Sequence, residues 1–456
     1  MAAPSHGKRI WGWMMYDWAT QPYHTLVITF IFGPYFAEQV IAMLTADGMS
    51  SDVAKAQAQS IWGYGLALAG LTIALLAPIL GAVADSTGRR MPWIRVFSAL
   101  YVVGAFGLWS AAPADFPVVT VLLVFGIGMI GLEFTTIFTN AMLPDLGTRE
   151  EIGRISGNGW AWGYVGGFIS LIIMLVAFAE NETGVTLIGI APLFGLDAAA
   201  REGTRFVGPF VALWFVLSMV PFFLWVREPR NGHGGHGAGF GQGLRDLGAT
   251  LRSLPARRSL FAYLGSSMFY RDALNGMYTF GGIYALGALE WSVVDIGVFG
   301  ILGIVTGTIF AYFGGIADAR FGPKSVIAVC IVLLMGVAGF ILTITRESVL
   351  FIAVAQDSAL PDIAFYVAGG VIGACGGAIQ SASRTMMVRQ ANPERMTEAF
   401  GLYALSGKAT SFLAPALIGV ASDITGSQRL GITPLIGLFL IGLILLAWVH
   451  PEGEEV

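Results

Sequence analysis

Gly81-Ala-Val-Ala-Asp85-Ser-Thr-Gly88-Arg89-Arg90 is a short polar segment that follows a long apolar run, and a related segment recurs half a chain later. The second copy reads Gly314-Gly-Ile-Ala-Asp318-Ala-Arg320-Phe-Gly322-Pro-Lys324. In both copies an Asp stands four residues after a glycine, and a further Gly and basic residues follow. The second copy has one extra residue between its Asp and Gly, and a Pro before its Lys. A repeat at matching positions predicts a chain built from two similar halves.

The composition is that of a membrane protein. Of the 456 residues, 55% are hydrophobic and 12% are charged, whereas soluble proteins carry about 25% charged residues. A single water-soluble core is excluded, because such cores stop growing at about 250–300 residues. The sequence supplies about twelve apolar runs of the roughly 20 residues that cross a bilayer. These runs predict helices, because lipid cannot satisfy backbone polar groups, and the alternating pattern of a membrane β-barrel is absent from the sequence.

An all-α integral membrane fold is therefore predicted, with twelve transmembrane helices in two six-helix pseudo-repeats. The predicted halves are residues 1–226 and 259–456, and a cytoplasmic linker, 227–258, joins them. The predicted helices are 11–41, 58–83, 92–112, 117–143, 154–179, 205–226, 259–289, 293–317, 324–345, 362–386, 396–421 and 430–449. The Gly-rich start of the linker is typical of a flexible segment, and the stretch before Arg258 has helical potential. His233 and His236 lie in the Gly-rich part without a defined geometry, so no metal site is predicted.

The distribution of cations predicts the orientation. The predicted cytoplasmic segments hold 18 of the 25 Lys and Arg residues, and the opposite loops hold 5. The other two, Arg271 and Lys408, lie inside apolar runs. The positive-inside rule then places both termini in the cytoplasm. We expect a multi-pass protein of the cell (inner) membrane, with the first helix as its own insertion signal.

The paired Asp loops resemble the loop signature of the major facilitator superfamily of transporters. Three further segments resemble one branch of that superfamily, the permeases related to the autophagy-linked vacuolar amino-acid effluxer of fungi. They are Tyr16-Asp17-Trp18-Ala19, then Ile155-Ser-Gly-Asn-Gly-Trp160-Ala-Trp162-Gly-Tyr164-Val-Gly-Gly167, and the stretch Gln380-Ser-Ala-Ser383-Arg384 with its continuation at 400–411. The chain departs from the pattern at Thr20-Gln21-Pro22 and at Tyr270-Arg271-Asp272. The resemblance implies a cavity lined by helices 1, 4, 7 and 10.

Five charged residues of the predicted helices stand out as the first candidates for substrate or proton coupling: Asp17, Glu133, Arg271, Asp272 and Lys408. Charges inside a bilayer are costly, so they are functional candidates by default. The alternative, ion pairs that orient helices, stays open for each of them. Successive helical residues point about 100° apart, so Arg271 and Asp272 cannot both face the cavity centre.

Polar residues on the same helices extend the candidate set: Gln21, His24, Asn140, Asn275 and Gln380. Any one of them alone is more often a helix–helix hydrogen bond than a ligand contact. Their joint placement on helices 1, 4, 7 and 10 favours a polar lining.

The Asp loops predict a gate. Asp85, with Arg89 and Arg90, stands where a neighbouring helix N-terminus would stabilise its charge. Asp318 should act in the same way in the second half, and Arg384 is the further gating candidate. Such contacts can hold the two halves together on the cytoplasmic side and must break when that side opens.

The sequence as a whole predicts a secondary transporter that moves a small solute by alternating access. The resemblance implies efflux of amino acids or similar metabolites. Two alternatives stay open: proton-coupled uptake of a sugar or organic anion, and a non-transporting membrane sensor on the same fold. The sequence has no P-loop, no nucleophile–base set and no metal-ligand spacing, so we expect no enzyme and no cofactor. The expected partners are a small-molecule substrate, protons and the bilayer; we expect a monomer that binds no nucleic acid.

Overall fold

The computed structural model describes residues 4–113, 116–181, 183–228, 240–291, 293–355 and 358–454. His233 and His236 lie outside the described residues, as does most of the Gly-rich part of the linker. Helices form nearly all of the regular structure within these ranges, and one small hairpin pairs β1 (Ser348–Val349) with β2 (Ile352–Ala353).

The first half begins with α1 (His6–Pro22), a π-helical segment (Tyr23–Phe30) and α2 (Phe32–Ala46). The helices that follow are α3 (Ser51–Thr87), α4 (Met91–Gly107), α5 (Val118–Asn140), α6 (Arg149–Ala177), α7 (Glu202–Arg205) and α8 (Val207–Trp225). The linker contains α9 (Phe240–Ser253), which confirms the helical potential before Arg258. The second half consists of α10 (Arg258–Ala288), α11 (Val293–Phe321), α12 (Pro323–Ile341), α13 (Leu360–Gln390), α14 (Met396–Ala409), α15 (Leu413–Thr425), α16 (Gln428–Gly431) and α17 (Thr433–Ala447).

Eleven segments of the described chain are long and apolar enough to cross a membrane. The twelfth expected segment corresponds to α10, which has 31 residues and is therefore about 46 Å long at 1.5 Å per residue. Its length exceeds the hydrocarbon thickness of about 30 Å. Polar residues, Arg271 and Asp272 among them, lower its apolar content. The predicted all-α membrane fold is confirmed.

Two helices that we expected to be continuous are interrupted. The expected helix 11–41 consists of α1, the π-helical segment and α2, and the expected helix 396–421 consists of α14 and α15. Proline explains both corrections. Pro22 ends α1 and Pro415 lies in the first turn of α15, and neither has the backbone N–H that would continue the ladder of hydrogen bonds.

The chain divides into two compact units. The first contains residues 1–76, 89–139 and 162–232, and the second contains 77–88, 140–161 and 233–456. The Asp-loop ends of α3 and α11 and the beginning of α6 therefore belong to the second unit.

Candidate functional site: polar faces and helix crossings

Three aromatic donors on α1 fix its register against α5 in the first unit. Trp13 Nε1 donates to the carbonyl of Thr139 at 2.8 Å, and the Tyr23 hydroxyl donates to the carbonyl of Phe125 at 2.8 Å. Between them, the Tyr16 hydroxyl lies 3.2 Å from the Leu132 carbonyl and 2.6 Å from Thr136 Oγ1. Buried side-chain donors of this kind satisfy carbonyls that lipid cannot hydrate and hold two helices at one register.

This register places two candidate carboxylates near each other. Tyr16 precedes Asp17 and hydrogen-bonds to the carbonyl of Leu132, which precedes Glu133, so the two acidic residues lie at neighbouring levels of α1 and α5. Both acidic residues are half-buried. Asp17, Gln21 and His24 recur every three or four residues, so they share one face. The first unit therefore has an acidic polar face.

Glycines of α6 let α1 approach closely beside this face. A Cβ at Gly163 would lie 3.1 Å from the Asp17 carbonyl oxygen, and one at Gly167 would lie 2.8 Å from Gln21 Cγ. Small residues at this spacing allow close helix contact in membranes. His24 lies on the π-helical segment after Pro22 and is exposed.

Trp18 lies next to Asp17 in a stack of three indole rings. Its ring centroid is 4.9 Å from that of Trp162 and 5.3 Å from that of Trp214. Trp214 Nε1 also donates to the Trp18 carbonyl at 3.1 Å. This stack was not expected, because spacing along the sequence does not reveal which rings of α1, α6 and α8 meet.

The second unit carries the candidate cations. The Arg271 guanidinium lies 4.2 Å from the centre of the Tyr403 ring and donates to the Tyr403 carbonyl at 3.2 Å. Arg271 and Lys408 are both half-buried, and Lys408 stands in the last turn of α14. Asn275, one turn after Arg271 on α10, is exposed.

Asp272 points away from Arg271. Its side chain is buried, and Oδ2 accepts a hydrogen bond of 2.9 Å from the Ala414 backbone N–H in the first turn of α15. The structure thus places the two neighbouring charges on opposite sides of the break between α14 and α15.

Asn140 lies with the gating candidate Arg384. Arg384 Nη1 donates to Asn140 Oδ1 at 3.3 Å, its Nε donates to Ser156 Oγ at 2.9 Å, and its Nη2 donates to the Ser156 carbonyl at 2.8 Å. Ser156 Oγ in turn donates to the Ser381 carbonyl at 2.9 Å. The neighbouring candidate Gln380 is half-buried. A buried guanidinium thus joins the beginning of α6 to α13 within the second unit.

The first Asp loop meets a helix N-terminus. Asp85 Oδ2 accepts a 2.8 Å hydrogen bond from the Glu398 backbone N–H in the first turn of α14. A Cβ at Gly81 would lie 2.6 Å from the Thr397 carbonyl oxygen, so only a glycine allows this approach. An acidic group at this end of a helix is stabilised by the helix dipole.

The second Asp loop makes the corresponding crossing. Asp318 is fully buried against α6, where a Cβ at Gly153 would lie 2.8 Å from the Asp318 Cγ. One turn further on, a Cβ at Gly157 would lie 2.6 Å from the Gly315 Cα. Both crossings, α3–α14 and α6–α11, bring an Asp-loop helix into close contact with another helix through glycine. The expectation that Asp318 would meet a helix N-terminus as Asp85 does is wrong: Asp318 lies beside Gly153 in the second turn of α6, and neither of its carboxylate oxygens has a hydrogen-bond partner in the described part of the chain.

The two arginines of the first Asp loop differ in their surroundings. Arg89 is exposed, whereas the backbone N–H groups of Arg90 and Met91 donate to Glu228 Oε1, the latter at 3.0 Å. Glu228 therefore caps the beginning of α4. It was missed because nothing in its sequence surroundings marks it as a cap.

A sequence profile of the family described as "Vacuole effluxer Atg22 like" matches residues 5–454. The chain belongs to this family. The MFS-type transporter YxiO of Bacillus subtilis (strain 168) is 26% identical over 449 residues, which cover 96% of this chain and 94% of YxiO. Autophagy-related protein 22 of Coccidioides immitis (strain RS) is 23% identical over 312 residues. That match covers 64% of this Atg22-like chain and 47% of the fungal protein.

Solved structures of transporters share the fold. The human organic anion transporter MFSD10 superposes with a TM-score of 0.69 at 15% identity, and the match covers 97% of this chain and 100% of MFSD10. The MFS transporter FucP, in its outward conformation, gives a TM-score of 0.68 at 14% identity, over 97% and 98% of the two chains. Identities this low show the fold alone. The Atg22-like chain is a multi-pass membrane protein with the major facilitator fold. Together with the family match, this makes it a secondary transporter and not an enzyme.

Proposed function

We propose that this Atg22-like chain exports amino acids or similar small zwitterionic metabolites by alternating access, in exchange for protons. The observation that carries the proposal is the opposite charge of the half-buried candidate residues in the two units. The first unit offers the carboxylates of Asp17 and Glu133, and Glu133 is the only charged residue of α5. The second unit offers the cations Arg271 and Lys408. An amino acid carries an ammonium and a carboxylate, and the membrane helices carry charged side chains of the sign opposite to each.

The family description supports efflux, and the charges of the candidate residues support the solute class. The profile describes vacuole effluxers, and intramembrane charges mark substrate and ion pathways in transporters. A solute without an ammonium would leave the two acidic residues without a role in binding. A solute without a carboxylate would leave the two cations without such a role.

Counterflow in proteoliposomes tests the solute class. We expect vesicles loaded with an unlabelled amino-acid mixture to take up labelled amino acids, and Arg271→Ala to raise the half-saturating concentration about tenfold, since a charged hydrogen bond contributes about 1.5–3 kcal/mol. Arg258→Ala, at the exposed beginning of α10, is the matched control. Counterflow of a sugar or an organic anion in place of amino acids would favour the uptake alternative. No counterflow of any solute would favour a sensor.

The orientation is proposed from the cation distribution: both termini in the cytoplasm of a cell whose plasma membrane holds the protein. We expect a membrane-impermeant thiol reagent to label Ala199→Cys, but not Ser253→Cys, in intact cells. Both positions are exposed, whereas the native Cys330 and Cys375 are buried and give little background. Labelling of both variants in permeabilised cells is the control. The reverse pattern in intact cells would overturn the orientation.

A further inference from the structure

The break between α14 and α15 lies between two oppositely charged neighbours on α10. The Arg271 guanidinium lies against Gly407 in the last turn of α14, where a Cβ would come within 2.5 Å of Nη1. Asp272 Oδ2 accepts from the Ala414 N–H in the first turn of α15. The C-terminus of a helix carries partial negative charge and the N-terminus partial positive charge, so each side chain meets an end of opposite sign.

The surroundings of the two charges differ. Arg271 also contacts the Tyr403 ring and carbonyl, whereas Asp272 is 2% exposed and has the Ala414 N–H as its one hydrogen-bond donor among the described residues. Its other oxygen, Oδ1, is buried without a hydrogen-bond partner there. A carboxylate that is buried with an unsatisfied oxygen is an unfavourable state unless it takes up a proton or a cation.

Other charged groups do not compensate Asp272. The helix α10 packs against α11, α13, α14, α15, α16 and α17. The charged groups nearest the break on these helices are Arg271, Lys408, Asp423 and Arg429, and the Tyr403 hydroxyl is the nearby titratable group. The charged residues of α11 and α13 lie in the first or last two turns of those helices, and α17 has no charged residue. None of them forms a salt bridge or hydrogen bond with Asp272 in the described part of the chain.

We propose that Asp272 is a proton-binding site that controls the attachment of α15 to α10. In the ionised form its charge holds the first turn of α15. Proton uptake at Oδ1 removes that charge and weakens the cap, so α15 separates more readily from α10. The site binds a proton without any further ligand.

A consequence for transport follows if the proposed function is correct. Lys408 lies in the last turn of α14, directly before the break, and Arg271 contacts the same turn, so movement of α15 would shift the cations assigned to the solute carboxylate. This consequence rests on the proposed function, whereas proton binding at Asp272 does not.

Two measurements on the full-length protein in lipid vesicles test the site without any transport assay. The first is infrared difference spectroscopy on acidification from about pH 8 to about pH 5, a range in which a buried carboxyl group can titrate. We expect the wild-type protein to show a component of the protonated-carboxyl C=O band that Asp272→Asn lacks, whereas the contribution of other carboxyl groups, such as Glu133 and the buried Asp318, is common to both. Asn keeps an oxygen for the Ala414 N–H but cannot titrate. Asp423→Asn, an exposed position on α15, is the matched control and should keep the band.

The second measurement is hydrogen–deuterium exchange of the peptide covering 413–418, corrected for the intrinsic pH dependence of exchange. In the wild-type protein and in Asp423→Asn, protection should fall about fivefold on acidification, the effect expected from loss of one helix cap. In Asp272→Asn, protection should not depend on pH. A pH-independent protection in the wild-type protein, or identical carboxyl bands in the wild-type protein and in Asp272→Asn, would show that Asp272 is a fixed cap.

The wild-type exchange titration decides the question by itself if Asp272→Asn does not accumulate in the membrane. A negative result here leaves counterflow of amino acids untouched, and absent counterflow leaves the infrared band and the exchange of α15 untouched. The two proposals can therefore fail separately.

Discussion

Replacing Glu133 by Gln should abolish solute accumulation driven by a pH gradient while leaving exchange of solute at equal concentrations near the wild-type rate. A carboxylate that takes up a proton on one side and releases it on the other links the gradient to the solute, and an amide cannot do so. Exchange does not require the empty carrier to return with a changed proton, so it survives. We expect the variant to bring the solute only to equal concentrations on the two sides of the membrane, whatever the size of the pH gradient.

Glu290→Gln provides the matched control, because Glu290 is exposed in the loop after α10. Asp17→Asn tests the neighbouring carboxylate on the same polar face, and it should reproduce the Glu133→Gln behaviour if Asp17 is the proton carrier instead. Should both variants retain full gradient-driven accumulation, these two carboxylates are structural, and proton coupling has to be sought at another residue.

A second large effect is expected at the crossing of α6 and α11. Gly157→Leu should slow turnover at least tenfold and raise hydrogen exchange of the peptides covering 149–157 and 315–321. The physical reason is steric: a Cβ alone at Gly157 would lie 2.6 Å from the Gly315 Cα, and overpacking of this kind typically costs about 1–3 kcal/mol. The crossing cannot form without displacement of backbone, so the population shifts to states in which it is open.

The control is Gly336→Leu on α12, where a Cβ has no neighbour within 4 Å. This variant should transport and exchange hydrogen like the wild-type protein. Asp85→Asn tests the other crossing by a milder change, because Asn still accepts from the Glu398 N–H but loses the charge; turnover should fall while solute binding is kept. If Gly157→Leu turns over at the wild-type rate, the crossing has no part in gating.

Much of the fold could be predicted from local signals. Long apolar runs require helices in lipid, and the Asp85 and Asp318 segments indicated the two-fold repeat. The expectation that Asp85 would meet a helix N-terminus is confirmed by its hydrogen bond to Glu398, although a role in gating stays a prediction. Helix boundaries differed where proline intervened, and Pro22 and Pro415 were readable signals for both interruptions.

The candidate site was less accessible to sequence reasoning, because it depends on which helix faces meet. Spacing placed Asp17, Gln21 and His24 on one face, but it could not show that Asp272 turns toward Ala414 while Arg271 turns toward Tyr403. The Trp18 stack and the cap that Glu228 forms on α4 are tertiary contacts without a local pattern. Roles in solute binding and coupling remain predictions for all of these residues.

The crossings built from Gly81, Gly157 and Gly315 have a consequence for the conditions under which the transporter works. Dissolved ions weaken attractions between exposed charges, with a Debye length of about 8 Å at physiological ionic strength. At these crossings the glycines bring backbone atoms close together, and the carboxylates of Asp85 and Asp318 are buried. If these crossings gate transport as predicted, changes in the salt content of the surrounding fluid should leave the balance between their open and closed arrangements nearly unchanged.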